Sequence, residues 1–257
     1  MDINLLAVNV GNTRVAIGVF VAGELKSVKR VAHAQSADWA GAIAQAWENI
    51  AEHENAAVVG ASVNPTVMES LEHAIVQVTA TPVAWVGREI DLPIKVLTQQ
   101  PRETGVDRVL NIAAAYEQMG KACVVVDAGS AITIDCCDAT GAFLGGAILP
   151  GVEMQLDALH QRTAKLPRVK FEHPKGSIGE STEQAILHGV YHGIRGTVKE
   201  LTEQYAMQLG AWPEIICTGG DATVLFEGWE LIHAISPDLT LYGIALAYTN
   251  HRIEQGE

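Results

Sequence analysis

Two short polar turns of the chain carry the residue types that a phosphate-binding hairpin needs. In the first, an apolar run reaches Asn9 and turns at Gly11-Asn12-Thr13; in the second, an apolar run reaches Asp127 and turns at Gly129-Ser130. Glycine lets an anion approach the backbone N–H groups, and the following amide or hydroxyl adds a further donor. A tight turn without a ligand can have the same composition, so neither turn is decisive alone.

The two turns belong to an internal repeat. Asn9 and Asp127 stand 118 positions apart, and the same offset relates Gly11 to Gly129. A pattern that occurs twice at one offset favours a duplicated structural unit. We therefore predict two similar hairpins, facing each other across a cleft and holding successive phosphates of a nucleotide.

A third chemical candidate is the carboxylate of Asp107 within Gly105-Val106-Asp107-Arg108. The pattern that follows predicts a helix over 104–121, so this acid stands at a helix N-terminus beside a strong cation. One interpretation is an acid–base residue. The other is a first-turn acid with a local ion pair, worth about 0.3 to 1 kcal/mol. The sequence leaves both open.

Strands and helices alternate in the same order in both halves. Each half opens with three short β-rich runs separated by turns, which predicts a three-strand meander. The runs are 5–8, 15–20 and 25–31 in the first half and 123–126, 132–136 and 143–149 in the second. We therefore predict an α/β protein of two similar domains, residues 1–112 and 113–257, with a cleft between them.

Helical spacing and capping residues place the principal helices. Apolar spacing predicts a helix over 36–53, and Asn64 with Pro65 supplies the cap and first position of another. Ser181 with Gln184 predicts a capping box at the start of a long helix running towards Gly210.

That long helix contains two histidines and three glycines at helical spacing. His188 and His192 are four apart, but the zinc-protease pattern needs Glu where this chain has Gly189, so we do not predict a metal site. Gly189, Gly193 and Gly196 instead favour close packing of this helix, across a subunit interface in a homodimer.

Composition excludes several classes of function. The formal charge of −13 repels nucleic acid and acidic membrane surfaces, and the apolar runs are shorter than the ~20 residues of a membrane-spanning helix. The four cysteines show neither zinc-ligand spacing nor a disulfide framework. These features predict a cytoplasmic protein with reduced, mostly buried thiols.

With these residues in place, the chain resembles the type III pantothenate kinases and the related Bvg accessory factors, a branch of the acetate and sugar kinase/Hsp70/actin superfamily. The resemblance spans almost the whole chain in the expected order. Its segments are Asn9-Val10-Gly11-Asn12-Thr13-Arg14, Ala61-Ser62-Val63, Gly105-Val106-Asp107-Arg108, Asp127-Ala128-Gly129-Ser130-Ala131, Gly145-Gly146 through Pro150-Gly151, Gly179-Glu180-Ser181-Thr182, and Thr218-Gly219-Gly220.

The resemblance implies ATP-dependent phosphorylation of pantothenate, the first step towards coenzyme A, between two ribonuclease H-like domains. It implies Asp107 as the base and Asp127 as the ligand of a monovalent cation, K⁺ or NH₄⁺, beside ATP with Mg²⁺. The implied ATP-binding residues are Asn9, Val10, Gly11, Asn12, Thr13, Arg14, Val15, Ala16, Gly129, Ser130, Gly219 and Gly220. The implied pantothenate-binding residues are Thr98, Gly105, Val106, Asp107, Arg108 and Thr182.

Two positions depart from the family pattern. Family members usually have aspartate at the position of Asn9, where the carboxylate helps to hold hydrated Mg²⁺, and tyrosine at the position of Thr98. Asn9 favours an alternative function, a nucleotide-binding accessory or regulatory homologue with little turnover. Thr98 favours another, a kinase of a different small molecule. Ser130 in place of threonine is a milder change because it keeps the hydroxyl.

Overall fold

The computed structural model describes residues 3–256, which divide into two compact units. The first unit takes in the chain up to Lys95, together with Gln99–Ala114 and the segment from Leu239 onward. The second takes in Val96–Thr98 and Ala115–Asp238. No helix within residues 3–256 is long and apolar enough to cross a membrane.

The first unit is built on a five-stranded sheet in the order β3-β2-β1-β4-β5. Its strands are β1 (Leu5–Val10), β2 (Arg14–Val21), β3 (Glu24–Ala32), β4 (Ala57–Ser62) and β5 (Val83–Trp85). The first three pair antiparallel as a meander, and the last two join β1 in parallel. Its helices are α1 (Trp39–Trp47), α2 (Pro65–Thr79), α3 (Val106–Met119) and α7 (Leu239–Glu254). The last residues of α3, from Ala115 on, belong to the second unit.

The second unit repeats this plan in the order β10-β9-β6-β7-β8. Its strands are β6 (Cys123–Ala128), β7 (Ala131–Cys137), β8 (Phe143–Pro150), β9 (Glu214–Thr218) and β10 (Ala234–Ile235). Its remaining helices are α4 (Val152–Arg162), α5 (Thr182–Leu209) and α6 (Ala222–Phe226). Three strands again form an antiparallel meander and two join in parallel. The predicted duplicated, ribonuclease H-like α/β fold is confirmed.

The repeat is not exact at every residue. The first hairpin pairs Asn9 with Ala16, whereas the second pairs Asp127 with Thr133, because its turn is one residue shorter. The following turn, at Gly141, is one residue longer and restores the offset. The 118-residue equivalence therefore holds for β1 with β6 and for β3 with β8, and slips by one between β2 and β7.

The division of the chain differs from the predicted domains 1–112 and 113–257 in its last helix. α7 belongs to the first unit, where Leu241 and Ile244 are buried in one cluster with residues of β1. A Cβ atom at Gly243 would lie 2.3 Å from the carbonyl oxygen of Leu110, so glycine allows α7 to contact the backbone of α3. Within α3 the chain passes from the first unit to the second after Ala114, two residues beyond the predicted boundary.

Helix boundaries follow the capping residues, with two differences from prediction. Instead of one helix over 36–53, a 3₁₀ segment (His33–Asp38) precedes α1, and Asn49 ends α1 by donating from Nδ2 to the carbonyls of Gln45 (2.8 Å) and Ala46 (3.2 Å). The Asn64 cap of α2 forms as predicted, with Oδ1 accepting from the N–H of Val67.

The predicted capping box of α5 forms only in part. Ser181 Oγ accepts from the N–H of Gln184, but the Gln184 side chain accepts from the N–H of Lys175 instead of returning to Ser181. This bond fastens the preceding segment to the first turn of α5. The four cysteines are free and buried, as predicted.

Candidate functional site

The first hairpin exposes the polar residues at its tip. The N–H of Gly11 donates to the carbonyl of Arg14 (3.1 Å), and Asn12 and Thr13 lie in the exposed turn between β1 and β2. The N–H of His33 donates to the carbonyl of Thr13 (2.9 Å), which ties the tip to the next segment of the chain. The structure therefore forms the predicted turn and places Asn12 and Thr13 at the surface.

Asn9 lies one residue inside the end of β1, between Ala16 of β2 and Ala61 of β4. It is partly buried, in contrast to the residues at the tip. A side chain held on a central strand moves less than one on a turn. Asn9 is therefore an amide at the base of the hairpin, beside the exposed residues of the tip.

The second hairpin is tighter. The N–H of Gly129 donates to the carbonyl of Ala131 (3.2 Å), which leaves Gly129 and Ser130 as a two-residue turn between β6 and β7. Both turn residues are partly buried.

Two further glycines pack directly against this second turn. A Cβ at Gly151 would lie 2.3 Å from the carbonyl oxygen of Ser130, and a Cβ at Gly219 would lie 2.4 Å from that of Ala128 and 2.6 Å from Asp127 Oδ1. All three distances are shorter than real contacts of a Cβ atom permit. Gly151 and Gly219 are therefore required for the backbone to close around Asp127 and the turn.

Sequence reasoning gave Gly151 no role, although Pro150-Gly151 is one of the family segments. The only signal available was its position immediately after a β-rich run. Gly219 was implied by resemblance, and the structure supplies a physical reason for glycine there. Its φ of +95° disfavours any residue with a side chain.

Asp127 is the carboxylate beside the second turn and Gly219. It is partly buried near the end of β6, where its Oδ1 faces the backbone of Gly219. Carboxylate and backbone oxygens are the donors that hard cations prefer. Among residues 3–256, no group of three or more His, Cys, Asp and Glu side chains is arranged to hold a metal.

Asp107 occupies the first turn of α3, as predicted. Its Oδ1 accepts a hydrogen bond from the N–H of Arg108 (2.8 Å), and a Cβ at Gly105 would lie 2.8 Å from that oxygen. Burial raises the pKa of this carboxyl, and the N–H and charge of Arg108 oppose that rise only in part. A carboxyl with a raised pKa is a better proton acceptor than an exposed one.

The remaining predicted residues lie in the second unit. Thr98 follows Leu97, whose N–H donates to the carbonyl of Phe143 (2.8 Å) at the start of β8. Its Cγ2 is 3.8 Å from the position that a Cβ on Gly145 would take. Thr182 is the exposed first residue of α5.

The structure thus groups the predicted residues within each unit. Asn9 to Ala16 and the segment 105–108 belong to the first unit. The residues of the second turn, Gly219 with Gly220, Thr98 and Thr182 belong to the second. Asp127 lies against Gly219, and Asp107 lies against Gly105 and Arg108.

This duplicated α/β unit, with a five-stranded mixed sheet in each half, is the fold of the acetate and sugar kinase/Hsp70/actin class of proteins. Two solved structures share this fold. A putative Baf family transcriptional activator from Campylobacter jejuni aligns with a TM-score of 0.63 and 20% identity, covering 96% of this chain and 99% of that one. MreB5 of Spiroplasma citri, bound to AMPPNP, aligns with a TM-score of 0.53 and 13% identity, covering 99% of both chains.

Within this class, the chain belongs to the type III pantothenate kinases. The family model for type III pantothenate kinase matches residues 5–204. A type III pantothenate kinase of Dehalococcoides mccartyi (strain CBDB1) is 34% identical over 255 residues, which cover 97% of each chain.

Proposed function

We propose that this chain transfers the γ-phosphoryl group of ATP to the primary hydroxyl of pantothenate, the first step of coenzyme A biosynthesis. Membership of the family along the chain carries this proposal. Asp107 takes the hydroxyl proton, the hydroxyl oxygen bonds to the γ-phosphorus, and the bond from that phosphorus to the β–γ bridging oxygen breaks to release ADP.

The geometry of Asp107 supports its assignment as the base. The N–H of Arg108 holds one carboxylate oxygen, Oδ1, which fixes the orientation of the carboxylate. The raised pKa makes the other oxygen a stronger acceptor for the proton. Gly105, Val106 and Arg108 would contact pantothenate around it, with Thr98 and Thr182 as further contacts.

The two turns support the assignment of the phosphate-binding residues. Asn12 and Thr13 present an amide and a hydroxyl from the first turn, and Ser130 presents a hydroxyl from the second. Gly219 and Gly220 would extend the phosphate-binding backbone beside Asp127.

Two cations belong to the proposal. Mg²⁺ would neutralise charge that develops on the transferred phosphoryl group, with the Asn9 amide orienting its water shell. Asp127 would hold K⁺ or NH₄⁺ with neighbouring backbone oxygens. The partly buried carboxylate against the Gly219 backbone is the observation that supports this second site.

The deciding experiment measures ATP turnover with and without pantothenate, each in K⁺ and in Na⁺. We expect ADP release that requires pantothenate and is faster in K⁺. Turnover with another hydroxyl compound but not with pantothenate would favour the kinase of a different small molecule. ATP binding without turnover in either salt would favour the accessory protein.

Asn9 is the observation that favours the accessory alternative, and restoring its charge tests it. Asn9→Asp is expected to lower the Mg²⁺ concentration for half-maximal turnover and to raise kcat, because a carboxylate anchors a hydrated metal more firmly than an amide. The pantothenate KM should change little. Kinetics at varied Mg²⁺ measure both effects, with Asn55→Asp, at an exposed residue ahead of β4, as the control for an added charge.

An unchanged Mg²⁺ requirement and rate in Asn9→Asp would place Asn9 away from the metal. Failure of both forms to phosphorylate pantothenate at saturating Mg²⁺ and K⁺ would instead contradict the kinase proposal itself.

The assembly and location we propose are a homodimer in the cytoplasm. A Cβ at Gly189 or Gly193 would meet nothing within 4 Å, so this part of α5 is open to a second copy of the chain. The cytoplasm supplies the ATP that the reaction consumes.

A further inference from the structure

A cavity of about 460 Å³ in the second unit lies outside the residues assigned to the reaction. It is lined by α5, the segment that precedes α5, and Trp229. Its charged and aromatic lining residues are His173, Tyr191, His192, Arg195, Lys199 and Trp229. Among the lining residues described, none is a carboxylate. In a chain of net charge −13, such a cavity is locally positive.

Arg195 is the fixed charge of this cavity. Its guanidinium carbon lies 4.3 Å from the ring centroid of Trp229 and 5.0 Å from that of Tyr191, and Nη1 donates to Tyr191 Oη. These aromatic contacts orient the guanidinium without neutralising it. Within residues 3–256, no carboxylate forms an ion pair with Arg195. The positive charge of the guanidinium and its other N–H donors can therefore act on a ligand.

Lys199 adds a second cation one helical turn further along α5. Its side chain is 63% exposed, and its Nζ is 3.8 Å from Glu203 Oε1, an ion pair that solvent weakens. Lys199 is therefore able to turn towards an anion held by Arg195, because little is lost when it leaves Glu203.

Two histidines complete the lining of the cavity. The rings of His173 and His192 both contact the Tyr191 ring, with centroids 4.8 and 5.0 Å away. Burial and the charges of His188, Arg195 and His173 lower the pKa of His192. The same positive environment that disfavours a proton on His192 favours an anion in the cavity.

We propose that this cavity binds the phosphate group of a small phosphorylated molecule, with Arg195 and Lys199 as its anion-binding residues. Two cations suit a doubly charged phosphate monoester better than a ligand with a single carboxylate. The guanidinium also offers paired donors to two phosphate oxygens. The cavity volume falls in the range of small-ligand sites, about 300 to 1,000 Å³. The walls formed by Tyr191 and Trp229 leave room for the organic part of the ligand.

The test uses methyl phosphate and inorganic phosphate as probes, with saturating AMPPNP present to occupy the proposed nucleotide site. Ring C–H signals in NMR spectra, assigned with His173→Gln and His192→Gln, report binding in this cavity itself. We expect both histidine signals to shift on binding of one phosphate per chain. The same shifts are expected if AMPPNP does not bind, because the cavity lies outside the proposed nucleotide site. The proposal therefore stands or falls separately from the kinase activity.

Arg195→Gln is expected to raise the Kd for methyl phosphate at least about tenfold, because a charge-assisted, paired contact is lost. Lys199→Gln is expected to raise it about threefold and, being exposed, to leave folding intact. Arg252→Gln is the matched control, since Arg252 also donates to and stacks on a tyrosine four residues earlier, Tyr248.

Unshifted histidine signals would overturn the proposal, as would equal binding of methyl phosphate by the wild type and by both cavity variants. Acetate binding as tightly as methyl phosphate would overturn the phosphate preference. Sedimentation velocity in the same buffer defines the assembly state. A dimer that binds no phosphate would mean that a second copy covers the cavity, which also contradicts the proposal.

Discussion

Asp107→Asn is expected to lower kcat for pantothenate phosphorylation by about 10² to 10⁴-fold, the usual contribution of a general base. ATP affinity should change little, because Asp107 is assigned to the acceptor side. Asparagine keeps the side-chain oxygen that accepts from the N–H of Arg108, so the loss would report proton transfer instead of local structure. Steady-state kinetics and a separate nucleotide-binding measurement distinguish the two.

The same substitution makes a prediction about stability. Burial raises the pKa of Asp107, so the folded state binds this proton more tightly than the unfolded state does. Its contribution to stability is therefore greatest at low pH and is lost as pH rises through the folded-state pKa. At neutral pH the ionised form opposes folding, and Asp107→Asn should leave the thermal midpoint unchanged or raise it.

Glu153→Gln provides the matched control for a purely structural role. Glu153 is an exposed first-turn acid of α4, where removal of the charge should cost about 0.3 to 1 kcal/mol through the helix dipole. If Asp107→Asn lost stability in the same way and kept more than a tenth of its turnover, Asp107 would be a helix-terminal acid and not the base.

Activity should also follow the titration of Asp107. A base works only when ionised, so kcat/KM should fall at low pH, with a midpoint above the ordinary aspartate value of about 3.9. The direction follows from burial, the main cause of the raised pKa. A midpoint at or below the ordinary value would contradict the described environment of Asp107.

Gly219→Ala is expected to cost about 3 kcal/mol of stability and to weaken ATP binding at least about tenfold. The left-handed φ of +95° alone costs about 1 to 2 kcal/mol with a side chain, and close packing against a backbone adds about 1 to 3 kcal/mol. The new Cβ would displace the Ala128 carbonyl and the Asp127 carboxylate, and with them the second turn. Denaturant unfolding and ATP titration measure the two effects.

Gly228→Ala separates the backbone effect from the packing effect. Gly228 has a φ of +70°, but a Cβ there would meet nothing within 4 Å. It should cost only about 1 to 2 kcal/mol and leave ATP binding intact. Equal effects of the two substitutions on ATP binding would remove Gly219 from the phosphate-binding backbone.

Local features of the fold were predictable from the sequence. The strands of both meanders, the turns at Gly11 and Gly129, and the Asn64 cap depend on residues within a few positions of one another. Alternating apolar residues, glycine turns and side-chain caps act over that short range, so they can be recognised from a single sequence. The 118-residue repeat then indicated a duplicated fold, and family resemblance added the expected chemistry.

The candidate site was predictable in its residue types but not in its packing. Both turns and Asp107 stand at the ends of elements that local patterns define. The requirement for Gly151 against Ser130, and for Gly219 against Asp127, comes from residues distant in the chain that approach within a side chain's width. No local pattern records such an approach.

Tertiary structure also decided which unit α7 joins and where the cationic cavity forms. α7 packs with the first unit because Gly243 permits contact with Leu110, far away in sequence. Arg195 meets Trp229 only because the chain returns to α5 after β9. The sequence by itself determined the elements and the family through short-range patterns; close packing between distant residues, which depends on the whole folded chain, decided how those elements assemble.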